Sequence, residues 1–124
     1  MSRAYVLAAS MALTFAVLRA YLHLSPNTDL DVAGYNIHHL FTGLVLLTVG
    51  GVAAVVLPAT HRWSLAAVAV FGVGLSMALD EWVYLIVTDG TNESYVLPVS
   101  FWGAVVVIAL AVVYALAIGR ASRG

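Results

Sequence analysis

Residues 35–57 read YNIHHLFTGLVLLTVGGVAAVVL, an apolar run that follows two adjacent histidines, His38 and His39. A helix needs about 20 residues to cross the roughly 30 Å hydrocarbon core of a bilayer, and this run is long enough. Its apolar residues do not alternate with polar ones, as they do in the strands of a membrane barrel. The segment therefore predicts a membrane-spanning helix with two imidazoles near its start.

The rest of the chain shares this composition. Of its 124 residues, 63% are hydrophobic and 9% are charged, and the mean hydropathy is +1.02. Soluble domains carry about 25% charged residues. We therefore predict an all-α integral membrane four-helix bundle with up-down-up-down topology and a single domain, residues 1–124. Its helices are expected at about 4–24, 35–57, 63–87 and 96–118.

The charges outside the predicted helices are sorted by sign. Basic residues occupy the two termini and the second connection, and acidic residues occupy the first and third connections: Arg3, Arg62, Arg120 and Arg123 against Asp29, Asp31, Asp89 and Glu93. By the positive-inside rule, this predicts a multi-pass protein of the cell membrane with cytoplasmic N- and C-termini.

The composition also bounds the partners. The chain has no cysteine, which excludes disulfides and thiolate metal sites. Its net charge of −1 argues against a nucleic-acid partner, which would require a basic face. The expected partners are membrane lipid and either further copies of this chain, as a homo-oligomer, or a partner membrane subunit.

Three ionisable residues lie within the predicted helices, namely Arg19, Asp80 and Glu81. Placing such a group in hydrocarbon costs at least about 2.5 kcal/mol, so each is a candidate functional residue. With a helical rise of about 1.5 Å per residue, all three lie in the outer half of the bundle. His23 and Ser100 are expected near the same level, as are the two adjacent histidines.

Helical rotation predicts which residues face the interior. Ala8, Ala12 and Ala16 share a face with Arg19, and Tyr84 lies one turn beyond Asp80 on its helix. Small residues allow close helix packing in membranes. We therefore expect helix contacts at four small residues, Gly43, Gly50, Ala12 and Gly103.

Imidazole nitrogens and carboxylate oxygens together form a ligand set for divalent Zn, Fe or Mn. Two carboxylates beside one arginine also leave a negative charge that a cation could balance. This favours a metal site of His38, His39, Asp80, Glu81 and His23, supported by Arg19, Tyr84 and Ser100. In an enzyme, a metal-activated water would attack a lipid or small molecule, with Asp80 or Glu81 as ligand or general base.

The alternative is a non-catalytic membrane scaffold or oligomeric subunit. Arg19 then pairs with Asp80 or Glu81, and the histidines and Tyr84 satisfy the remaining hydrogen bonds. The adjacent HH and DE pairs lack the spacing of the H-x-x-E-H metal motif, which leaves this alternative open. The pattern gives less support to a haem site or to a proton or ion path, since the last two helices contain no histidine and the inner half has no ionisable residue.

Two segments carry a family resemblance. IHHLFTG and GVGLSMALDEWVYLIVTDG resemble the HHxxxG and GxGxxxxxDExxYL patterns of small, uncharacterised prokaryotic integral membrane proteins with four helices. The similarity covers about a third of the chain and implies no activity. It implies that five residues act as one unit: His38, His39, Asp80, Glu81 and Tyr84.

Overall fold

The computed structural model describes residues 1–25 and 30–124, and these residues are predominantly α-helical. Four helices, α1, α2, α3 and α5, are long and apolar enough to cross a membrane, and α4 is a single turn. Their bounds are α1 Arg3–Leu24, α2 His39–Val56, α3 Ser64–Val87, α4 Asn92–Tyr95 and α5 Pro98–Ala121. This confirms the prediction of an all-α chain with four long apolar helices.

The second helix begins four residues later than the sequence predicts. A short antiparallel hairpin precedes it, in which β1, Asp31–Val32, pairs with β2, Tyr35–Asn36. The hairpin turns at Ala33 and Gly34, both of which have positive φ angles. Because the chain is extended through residue 36, helical geometry starts only at His39. Asp29, used above to predict orientation, lies outside the described residues.

The last long helix also begins later than predicted, at Pro98. Proline lacks the N–H that a helix interior requires and favours the first turn, so it places the start of α5. The preceding residues form the one-turn helix α4, whose first turn is capped by the Thr91 hydroxyl accepting the Ser94 N–H. The polar connection after α3 therefore contains a helical turn of its own.

Helices α1, α3 and α5 pack against one another, and α2 packs on α3. The Arg3 side chain of α1 also donates to the Ala54 carbonyl of α2. A Cβ atom on Gly43, Gly50 or Gly74 would overlap atoms of the facing helix, so these glycines bring the backbones of α2 and α3 together. Gly103 of α5 likewise lies against Val83 of α3. The predicted helix contacts at Gly43, Gly50 and Gly103 are therefore confirmed.

The predicted packing face of α1 is wrong at Ala12 and Ala16, which are exposed. The buried positions are Ala8, Met11 and Arg19. Relative to Ala8, Ala12 and Ala16 are rotated by about 40° and 80° in one direction, whereas Met11 is rotated by about 60° in the other, so the buried face is turned toward Met11. Ser76 of α3 fixes this rotation, because its hydroxyl donates to the Met11 carbonyl at 2.9 Å.

Candidate functional site

The charged residues inside the helices meet at one end of the bundle, in a cluster that we call the ionic network: Arg19, His39, Asp80 and Glu81. Arg19 comes from α1, His39 from the first turn of α2, and the two acids are adjacent in α3. Arg19 and Glu81 are each 4% exposed and Asp80 is fully buried. The network therefore joins three helices within the interior of the protein.

Arg19 donates hydrogen bonds to acceptors on α3 and near the start of α5. Its Nε donates to Asp80 Oδ1 at 2.7 Å, and Nη1 donates to the Tyr95 carbonyl at 2.8 Å. Nη2 lies 3.3 Å from the Asp80 carbonyl and 3.2 Å from the Ser100 carbonyl. The guanidinium also lies over the Tyr95 ring, with Cζ 3.9 Å from its centroid. Each of its three nitrogens thus donates to at least one acceptor.

His39 bridges the two acids. Its Nε2 lies 2.9 Å from Asp80 Oδ2, and its Nδ1 lies 2.9 Å from Glu81 Oε1. An ionised carboxylate can only accept hydrogen bonds, so a ring placed between two of them must donate from both nitrogens. The geometry therefore suits an imidazolium, a second positive charge in the ionic network.

Glu81 caps the start of α2. The N-cap residue His38 has no capping hydrogen bond from its own side chain, and Glu81 Oε2 instead accepts the Leu40 N–H at 3.1 Å. A carboxylate at a helix N-terminus is stabilised both by the free N–H groups and by the helix dipole. His38 Nδ1 lies further away, 3.7 Å from Glu81 Oε1.

Tyr95 completes the surroundings of Asp80, and sequence reasoning missed this role. Its hydroxyl donates to Asp80 Oδ2. Burial and the nearby Asp80 carboxylate raise the pKa of the Tyr95 phenol. Tyrosine is common where a chain leaves the membrane, so the position of Tyr95 in the sequence does not point to the interior. The available signal was Pro98, because a helix that starts there leaves the residues just before it free to turn toward the interior.

Two of the predicted supporting residues stabilise the connection beside the network. The Tyr84 hydroxyl lies 2.6 Å from the Gly90 carbonyl and 3.0 Å from the Thr91 carbonyl, and it donates its proton toward both. The Ser100 hydroxyl donates to the Ser94 carbonyl at 2.6 Å. Tyr84 and Tyr95 also meet edge to face, with ring centroids 5.4 Å apart.

The structure does not bring His23 into the cluster. Its side chain is exposed, and Nδ1 lies 2.8 Å from the Arg19 carbonyl, one turn earlier in α1. The ring is therefore held on the backbone of its own helix. The other predicted ligands, His38, His39, Asp80 and Glu81, are close together.

The predicted metal ligands His38, His39, Asp80 and Glu81 form ion pairs with one another. Across residues 1–25 and 30–124, no group of three or more His, Asp or Glu residues is arranged to hold a metal ion. A histidine ligand coordinates through an unprotonated nitrogen, and both nitrogens of His39 point at carboxylate oxygens. As arranged here, the residues do not fit a bound divalent metal.

Comparisons of the chain with protein-family models, with curated proteins and with solved structures found no match.

Proposed function

We propose that this chain is a non-catalytic integral membrane protein, a scaffold or a subunit, in which the ionic network joins three of four membrane-spanning helices. The observation that carries the proposal is the balance of charge in the ionic network. Arg19 and an imidazolium at His39 supply two positive charges, and Asp80 and Glu81 supply two negative charges. The balanced cluster needs no further ion.

Balance matters because the groups are removed from water. Breaking a buried ion pair by removing one partner is destabilising by about 3–5 kcal/mol, since the remaining charge is left uncompensated. The Tyr95 hydroxyl and the Leu40 N–H satisfy further carboxylate oxygens. These hydrogen bonds support a structural role, because they leave Asp80 and Glu81 no strong demand for another ligand.

Membrane insertion is supported by the outer surface of the bundle. Large apolar side chains are exposed along α2, including Val45, Val49 and Val52, and α2 packs mainly on α3. Such a surface would be unfavourable in water and is expected against lipid or a partner helix. The distribution of arginines supports cytoplasmic termini, by the positive-inside rule.

The alternative is a site for Zn, Fe or Mn, and a charge-rescue experiment separates the two. His39→Gln leaves two acids with one cation, so we expect a large loss of thermal stability. Adding Glu81→Gln removes the surplus negative charge and retains an amide oxygen that can cap Leu40. The double variant should therefore be clearly more stable than His39→Gln alone.

His61→Gln is the matched control, because His61 is exposed in the connection between α2 and α3. It should melt like the wild type. Elemental analysis of the same samples completes the test. Stoichiometric metal in the wild type that is lost in His39→Gln, with no recovery of stability in the double variant, would overturn the structural network and support the metal site.

A further inference from the structure

A cavity of about 380 Å³ lies between α1, α3 and α5, near the end of the bundle opposite the ionic network. Its lining is apolar, formed chiefly by Leu7, Met11, Phe71, Leu75, Tyr114 and Ile118. The volume falls within the roughly 300–1,000 Å³ typical of small-molecule sites. Among the described residues that line it, Arg3 is the one that carries a charge.

The walls of this cavity suit a hydrocarbon chain. They offer few polar groups, so water inside would lack hydrogen-bond partners. Tyr114 is 69% exposed and Ile118 is 54% exposed, which places one side of the cavity on the surface that would face lipid. An acyl chain entering from that side would gain the dispersion contacts that an empty cavity forfeits.

Positive charge lies at the rim. Arg3 is held there by a hydrogen bond from Nη2 to the Ala54 carbonyl of α2 at 2.6 Å, which leaves further guanidinium donors available. Guanidinium groups bind phosphate oxygens strongly and in two-pronged geometry.

We propose that this cavity binds one acyl chain of an anionic phospholipid, with the lipid phosphate held by Arg3. The site rests on the proposed membrane location of the chain, because the lipid enters from the bilayer. The cavity lining shares no residue with the ionic network; along α1, Arg3 lies about four and a half helical turns from Arg19 and Met11 about two.

The test is native mass spectrometry of the purified full chain in detergent. Dioleoylphosphatidylglycerol and dioleoylphosphatidylcholine are titrated in parallel, since they share acyl chains and differ in headgroup charge. We expect one phosphatidylglycerol per chain, bound about tenfold more tightly than phosphatidylcholine, because the quaternary ammonium of choline is repelled by Arg3 and offsets the charge of the phosphate that both lipids carry. Equal binding of the two lipids by the wild type would overturn the proposal.

Variants separate the cavity from the rim. Ala115→Phe fills the cavity and should weaken binding of both lipids, whereas Ala117→Phe, at an exposed position of the same helix, should not. Arg3→Gln should reduce phosphatidylglycerol binding toward the phosphatidylcholine level. Arg62→Gln, outside the lining, is its control. If Ala115→Phe fails to fold, Ala111→Leu in the same wall replaces it.

Unchanged lipid binding in the cavity-filling variant would also overturn the proposal. The outcome is distinguishable from failure of the proposed function, because His39→Gln followed by Glu81→Gln reports on the ionic network alone. A protein that shows charge rescue but no preference for phosphatidylglycerol retains its structural network and loses the lipid site. A protein that prefers phosphatidylglycerol but shows no charge rescue would support the lipid site and contradict the structural role of the ionic network.

Discussion

Arg19 and Asp80 form an ion pair across the interface of α1 and α3, with Nε and Oδ1 2.7 Å apart and neither side chain more than 4% exposed. The pair is charge-assisted and lies beside the carbonyl acceptors that take up other donors of the guanidinium. Its two residues are 61 positions apart in the sequence. It therefore connects α1 to α3, the helix on which the other long helices pack.

Replacing Arg19 by methionine keeps much of the side-chain length and removes the charge. Asp80 and Glu81 would then face one cation instead of two, so we expect a loss of about 3–5 kcal/mol in the free energy of unfolding. The measurement is a denaturation curve in detergent. Arg62→Met is the control, because Arg62 is exposed and lies over Trp63. Equal curves for the two variants would contradict the importance of the pair.

Close packing of α2 on α3 predicts a sharp contrast between neighbouring glycines. A Cβ on Gly50 would overlap the backbone nitrogen of Phe71, whereas a Cβ on Gly51 would meet only the Phe71 side chain, at 3.1 Å. Gly50→Ala should therefore cost about 1–3 kcal/mol of stability through overpacking. Gly51→Ala should be close to neutral. Thermal midpoints of the two variants give the comparison.

Asp89 predicts an acid-sensitive connection between α3 and α4. Hydrogen bonds from Ser94 and Thr91 lower the pKa of Asp89 below its usual value of 3.8. A lowered pKa in the folded state contributes stability above the unfolded value, and this contribution is lost as the pH falls through the folded value. The difference in thermal midpoint between wild type and Asp89→Asn should therefore shrink from pH 7 toward pH 3.

Glu93→Gln is the control for Asp89→Asn. It removes the same charge from α4, where the Glu93 side chain is exposed. Its difference from wild type should change less over that pH range. A constant difference for Asp89→Asn would show that the hydrogen bonds to its carboxylate do not contribute to stability.

Orientation in the membrane can be tested with single cysteines, because the natural chain contains none. If the termini are cytoplasmic, a cysteine replacing Glu93 should react with an impermeant thiol reagent added to intact cells. A cysteine replacing Arg62 should react only after the membrane is opened. The opposite pattern would reverse the proposed orientation.

The class of fold was predictable because spanning helices depend on length and hydropathy, and both are local properties of a sequence. Helix boundaries were less predictable where they depended on pairing, as at residues 35 and 36, whose strand partners are Val32 and Asp31. The packing of α2 on α3 could not be read from composition, because α2 carries apolar residues on all sides and lipid can cover any of them.

The ionic network was predictable in its residue types and less so in its bonding. A buried charge requires a partner, and this reasoning named Arg19, Asp80, Glu81 and the histidines. It did not find the Tyr95 and Ser100 carbonyls that accept from Arg19, because every residue carries a carbonyl and nothing in the side-chain pattern distinguishes these two. It also left one carboxylate charge without a cation. In the structure His39 lies between the two carboxylates, where an imidazolium could balance that charge.

If the four apolar helices span a membrane, as proposed, the adjacent placement of both acids on α3 imposes an order on biosynthesis. Helices α1 and α2 are synthesised before α3, so Arg19 would reach the insertion machinery before either carboxylate of the ionic network. An arginine at that stage disfavours insertion by up to about 2.5–3.5 kcal/mol. Nascent chains stopped before Ser64 should therefore insert α1 less completely than full-length chains, and Arg19→Leu should abolish that difference. Helix α3 would then promote the membrane insertion of α1.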